Sequence, residues 1–156
     1  MRYWIMKSEP KSYSIDDFAK EGFSPWEGVR NYQARNFMMQ DMEIGDLIIF
    51  YHSNTPPLGA AGLGKIISKP YPDDTALDPE SIYYDKRASV ERPIWYHVDV
   101  QFLEKFPHFV LLKQMREIPE LQDMMLLRKG SRLSIQPITK THFTTICTQA
   151  RSTTSF

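Results

Sequence analysis

Leu47-Ile48-Ile49-Phe50-Tyr51 places five apolar side chains in a row between the turn at Gly45-Asp46 and the loop Ser53-Asn54-Thr55-Pro56-Pro57. Side chains alternate faces along a strand, so a run with no polar alternate has to be covered on both sides. Turn residues bound it so closely that it reads as a strand and not as part of a helix. The chain must therefore build a sheet with this segment near its centre and a packed layer on each face. A length of 156 residues suits one such domain and is short for two.

The other elements are read around that strand. Met1 to Met6 predicts an interior first strand, stopped at Lys7-Ser8-Glu9-Pro10 because proline has no N–H for a ladder. Ser14, with Asp17 three positions on and Ile15 and Phe18 apolar, predicts a capped helix that Gly22 ends. A second helix is predicted from Asn31 as its N-cap to about Met42. Ala60 to Ile67 reads as a strand, where Gly62 and Gly64 mark a bend or a close approach by a backbone or ligand. Residues 68 to 92 read as a long surface loop, either functional or disordered.

Ile94 to Phe102 alternates, with Ile94, Tyr96, Val98, Val100 and Phe102 toward a core and Trp95 and His97 on the opposite face. Phe109 to Met115 and Ile118 to Leu127 predict short helices or turns. Leu133 to Ile138 predicts the last strand, and Thr139 or Thr141 caps a helix reaching about Ala150. The expectation is one α+β domain over residues 1–150 with about five strands, followed by a frayed tail, Arg151 to Phe156.

Nineteen basic and nineteen acidic side chains give a formal net charge of zero. That argues against a protein that coats duplex nucleic acid by charge alone. The balance is uneven, however: residues 1–36, 37–100 and 101–156 carry +1, −5 and +4. A single cysteine, Cys147, excludes an internal disulfide and a thiolate zinc cluster. His52, His97, His108 and His142 are too scattered to suggest a metal site, and no cofactor is called for. No apolar run approaches the ~18 residues of a membrane span, and Lys7 comes too early for a signal peptide. The expectation is a soluble, cytoplasmic monomer without a membrane partner, and the lack of a basic N-terminal extension argues against nuclear import.

Three stretches hold residues that a core does not require: Lys7-Ser8-Glu9-Pro10, Trp26 to Asn36, and Tyr51-His52-Ser53-Asn54. Each lies at a strand end or a helix start, so all three are candidates for one rim. Aromatic residues make up 13% of the chain, which allows some rings to bind as well as pack. Trp26, in a loop before a helix, is the first candidate to stack on a base, with Trp95 and the Tyr51-His52 pair as further walls, and Tyr32 is a further ligand-binding candidate. Trp4, inside a strand, reads as core. Ser8, Asn31, Ser53 and Asn54 offer polar edges, although Asn31 also suits a helix cap and Ser53-Asn54 a turn. Lys7, Arg30 and Arg35 are candidates for phosphate. Glu9 either accepts from an exocyclic amine or pairs with an arginine.

Taken together, Met6 to Pro10, Trp26 to Phe37, Phe50 to Asn54, Trp95 with Val98 to Phe102, and Arg132 to Pro137 resemble the EVE domain family in both motif and order. The resemblance covers about residues 3 to 147. It implies a PUA-like fold, a mixed open β-barrel of five to six strands with flanking helices, related to the YTH readers of methylated adenine in RNA. It also implies a reader of a modified base, notably modified cytosine (5-methylcytosine or 5-hydroxymethylcytosine) in DNA, without catalysis. One alternative is an RNA-binding or RNA-modification-related protein of the same fold. Another is a nucleic-acid-processing hydrolase built on His52, Lys7 and Glu9, and a protein-interaction module comes third.

Overall fold

The computed structural model describes residues 1–156. Its strands are β1 (Tyr3–Ser8), β2 (Phe23–Pro25), β3 (Leu47–His52), β4 (Gly59–Ile66), β5 (Tyr71–Pro72), β6 (Tyr96–His97), β7 (Asp99–Leu111) and β8 (Ile135–Ile138). The helices are α1 (Ile15–Glu21), α2 (Tyr32–Asn36), α3 (Leu112–Met115) and α4 (Lys140–Gln149). Six strands form one sheet in the order β2-β7-β4-β3-β1-β8, while β5 and β6 make a separate two-stranded ribbon. β1 and β3 run parallel, from Tyr3 beside Leu47 to Ser8 beside His52. This curled sheet with flanking helices is the PUA-like mixed open barrel that the sequence led us to expect.

The apolar run in β3 is covered on both sides. Ile48 and Phe50 join Trp4 and Met6 of β1, Ile15 and Phe18 of α1 and Met38 in one core. Leu47, Ile49 and Tyr51 join Ile5, Leu63, Phe106, and Phe143 and Ile146 of α4 in the other. Burying a side chain of this size contributes ~1.5 to 3 kcal/mol, so the two layers together dominate the stability. Trp4 is 1% exposed, and its indole N–H donates to buried Asp46 at 3.0 Å.

The caps follow the sequence signals. Ser14 and Asp17 form a reciprocal capping box on α1, Asn31 Oδ1 accepts the Ala34 N–H, and Thr139 caps α4. After α2 the chain continues through one wider, π-helical turn, Phe37–Asp41. A Cβ on Gly62 would run into the Glu104 carbonyl, so this glycine serves the close approach of β7 to β4 and not a ligand.

Three expectations need correction. β7 extends through Phe109 to Leu111, where the sequence predicts short helices or turns, because its pairing with β4 resumes at Val110 and Leu111 after a bulge. Trp95 lies before β6 and is 2% exposed, not on an open face. The strand breaks at Val98, and the Ile94 backbone turns through a φ of 65°, so the alternation read across the segment does not hold. The tail is also held: Glu104 accepts from the hydroxyls of Ser152, Thr153 and Thr154 and from the Thr153 N–H.

Candidate nucleic-acid interface

The end of β1 and the β2–α2 connection enclose a cleft of about 440 Å³, within the range of small-molecule sites. Local bonds shape both walls. Beyond β1 the chain turns sharply, with the Ser12 and Tyr13 N–H groups donating to the Glu9 carbonyl and Ser8 Oγ donating to the Tyr13 carbonyl at 2.5 Å. Across from it, the Trp26 N–H donates to the Val98 carbonyl at 2.8 Å and anchors the opposite wall. Tyr83, from the long loop, and Ser134 close the rim.

Lys7, Ser8, Glu9, Trp26 and Arg30 of the expected site residues line this cleft. Lys7 forms no ion pair, and burial holds its pKa below the ordinary lysine value. Glu9 accepts a hydrogen bond from the Thr55 hydroxyl, which keeps its carboxyl below the usual range. Trp26 is 8% exposed. Most of its ring is core, edge-on to Phe50 at 5.6 Å, and only its remaining surface is available to a ligand.

Arg30 lines the cleft without offering its charge to a phosphate. Its Nε and Nη2 donate to the Tyr83 carbonyl, Nη1 to Asp73 and the Val29 carbonyl, and Nη2 to Thr75. Five donors meet five bonds, so Arg30 acts as a clamp. Arg35 is also engaged, by the Ile94 carbonyl and Asn36 Oδ1. Tyr32 stacks on Trp95 at 4.8 Å, Arg35 lies over the Tyr32 ring, and Trp95 donates to Asp85 at 2.8 Å. This ladder packs the long loop onto α2 and lies outside the cleft.

The third stretch does not reach the cleft. Tyr51 points into the opposite core, where burial raises its hydroxyl to about 12. His52 faces α1, and its Nε2 accepts the Ile15 N–H at 3.0 Å. It sits beside the end of β1, where Ser8 is its register partner, but it does not line the cleft. Ser53 and Asn54 form a turn, with Asn54 at a φ of 66° and the Ser53 N–H bonded to the Ser8 carbonyl. Asn31, too, serves as a cap and does not line the cleft.

Ser12, Tyr13, Ser24 and Tyr83 also line the cleft and lie outside the three stretches, while Glu27 and Gly28 lie within the second stretch without a role read from sequence. Burial pushes the Tyr13 hydroxyl up to about 12. Gly28 carried the one usable signal, a glycine directly after Trp26-Glu27: it has a φ of 84°, and a Cβ there would meet the Tyr83 ring at 2.6 Å. Glu9, Glu21 and Glu27 set three carboxylates against Lys7 and the internally bonded Arg30. The cleft thus favours donors over anions.

Human thymocyte nuclear protein 1 is 38% identical over 160 residues, spanning 90% of this chain and 70% of that protein. A hypothetical protein from Leishmania major superposes with a TM-score of 0.92 at 43% identity, covering 97% of this chain and 95% of its own. The human THYN1 protein in complex with 5-methylcytosine-containing DNA superposes with a TM-score of 0.88 at 35% identity, covering 99% of this chain and 100% of its own. The family model described as EVE domain matches residues 2–149. With nearly its whole length matched and relatives of that fold at this identity, the chain belongs to the EVE domain family.

Proposed function

We propose that this protein binds DNA carrying a modified cytosine, 5-methylcytosine or 5-hydroxymethylcytosine, and holds that base in the cleft between β1 and the Trp26–Arg30 segment. The observation that carries the reading is the cleft itself: a base-sized cavity with an aromatic wall, hydroxyls and carboxylates, in a fold whose human relative was solved with 5-methylcytosine DNA. Cytosine presents an exocyclic amine as a donor and a ring nitrogen and carbonyl as acceptors. Glu9 supplies a carboxylate to accept from the amine, and Lys7 supplies donors for the acceptors, while Ser8, whose proton goes to the Tyr13 carbonyl, offers the lone pairs of its hydroxyl. Trp26 gives the base an apolar surface in place of its lost stacking partners.

The charge balance fits a reader that grips one base. Duplex coating demands many cations on the surface, whereas a base in a pocket needs a few short polar contacts and one ring. On this reading the protein acts by binding, in keeping with a human relative solved as a complex with DNA.

A panel of single- and double-stranded oligonucleotides tests the reading. The probes carry plain, methylated or hydroxymethylated cytosine, or methylated adenine, and salt is varied. The expected outcome is preference for a modified cytosine over plain cytosine, with a shallow salt slope. Equal binding to all probes removes the reader function, and preference for methylated adenine in RNA moves it to the alternative.

A further inference from the structure

Taking a base out of a duplex leaves a gap in the stack, and proteins that distort DNA commonly place an apolar side chain between base steps. Beside the cleft, this structure holds one such side chain out in solvent. Ile82 is 89% exposed, more than any other large apolar residue of the chain. It directly precedes Tyr83, whose ring lines the cleft and lies over Gly28. Its Cα is therefore ~3.8 Å from that of a cleft residue.

The loop that carries Ile82 is tightly built. The Glu80 N–H donates to Asp78 Oδ1 at 2.9 Å, the Tyr83 N–H to Ser81 Oγ at 3.0 Å, and the Tyr84 N–H to the Ser81 carbonyl at 3.1 Å. Arg30 then grips the Tyr83 carbonyl twice, at 3.0 and 2.8 Å. A stiff tip loses little conformational freedom when it enters a partner, which is what insertion requires. Nothing in the fold benefits from an isoleucine at this point, because it packs against almost nothing.

We propose that Ile82 is a wedge, entering the DNA stack at the place vacated by the base held in the cleft. The inference rests on the reading above and specifies its substrate: duplex DNA, with the modified base extruded. A single strand has no stack of pairs to hold open, so the wedge matters only for the duplex.

The test compares wild type, Ile82→Ala and Ile82→Met on a duplex with one central 5-methylcytosine and on the same strand alone. 2-Aminopurine beside the modified base reports unstacking by its fluorescence. Ile82→Ala is expected to lose about tenfold in duplex affinity and most of the fluorescence rise, to keep its single-strand affinity, and to be rescued by Ile82→Met. Unchanged duplex binding and fluorescence in Ile82→Ala, or an equal loss on both probes, overturns the wedge while leaving the cleft reading in place. A wild type that shows no preference for the modified base in either form overturns the cleft reading, and the wedge with it.

Discussion

Arg30 and Asp73 stand 43 residues apart in sequence and pair at 3.1 Å. The Asp73 side chain is 1% exposed. Its Oδ2 also accepts the Gly28 N–H at 2.9 Å, and its Oδ1 accepts the Thr75 N–H at 3.0 Å. The long loop therefore holds the wall of the cleft through a residue that does not itself line it.

Removing that carboxylate leaves the Arg30 cation without its charged partner and the Gly28 N–H unbonded. Asp73→Ala is expected to lower the unfolding free energy by about 3 kcal/mol, with Asp73→Asn intermediate because an amide oxygen still accepts. Urea unfolding reads this directly. An Asp73→Ala midpoint equal to that of wild type would show that Arg30 is held adequately by its carbonyl partners.

Trp26 has two roles that substitutions can separate. Trp26→Ala opens a cavity and is expected to destabilise by about 3 to 5 kcal/mol as well as to weaken binding. Trp26→Phe keeps a ring and most of the packing, so it isolates the contact with the base, with a few-fold loss of affinity. Circular dichroism confirms folding before anisotropy is measured. Full affinity in a folded Trp26→Ala protein rules out the stacking role.

Gly28 and Gly130 both have positive φ, 84° and 78°, but only Gly28 has a neighbour in the way of a Cβ. Gly130→Ala is expected to cost about 1 kcal/mol for backbone strain alone. Gly28→Ala adds the displacement of the Tyr83 ring and should cost more, with weaker DNA binding. Thermal melts of the two variants side by side give the difference, and equal melting temperatures would mean that Tyr83 moves freely.

His52 makes stability depend on pH. Burial holds its pKa below the ordinary 6.5, against the raising effect of Asp16 and Glu9 and with a lowering contribution from Lys105. Between the folded and unfolded values the unfolded chain binds a proton that the native ring refuses. Stability is therefore complete above about pH 6.5 and falls as the pH drops toward the folded value, where the loss levels off. His97, also lowered by burial, acts in the same direction. His52→Gln should shrink the slope between pH 7 and 5 without removing it, and chemical denaturation at several pH values measures this. An unaltered slope would assign the whole effect to His97.

Much of the architecture is legible in local chemistry. Ser14 with Asp17, Asn31 and Thr139 mark three helix starts through the hydrogen bonds their own side chains offer, and these depend on a few neighbouring residues. The misreadings at Phe109 to Leu111 and at Trp95 have a different origin. Pairing with β4 carries β7 onward, and contact with Asp85 and Tyr32 buries the indole, so partners outside the local segment decide both.

The site divides in the same way. Lys7, Ser8, Glu9 and Trp26 are found from sequence because they sit at the ends of readable elements, next to turns. No periodicity shows that Arg30 turns inward to Asp73 and Tyr83, or that Tyr51 and His52 point to opposite sides of β3 and away from the cleft. The apolar run Leu47 to Tyr51 determined by itself that a two-faced sheet would form, since burial on both sides is a property of five adjacent side chains. Which polar groups meet in the cleft was decided only by the tertiary fold, because it depends on contacts between segments as far apart as Gly28, Asp73 and Ser134.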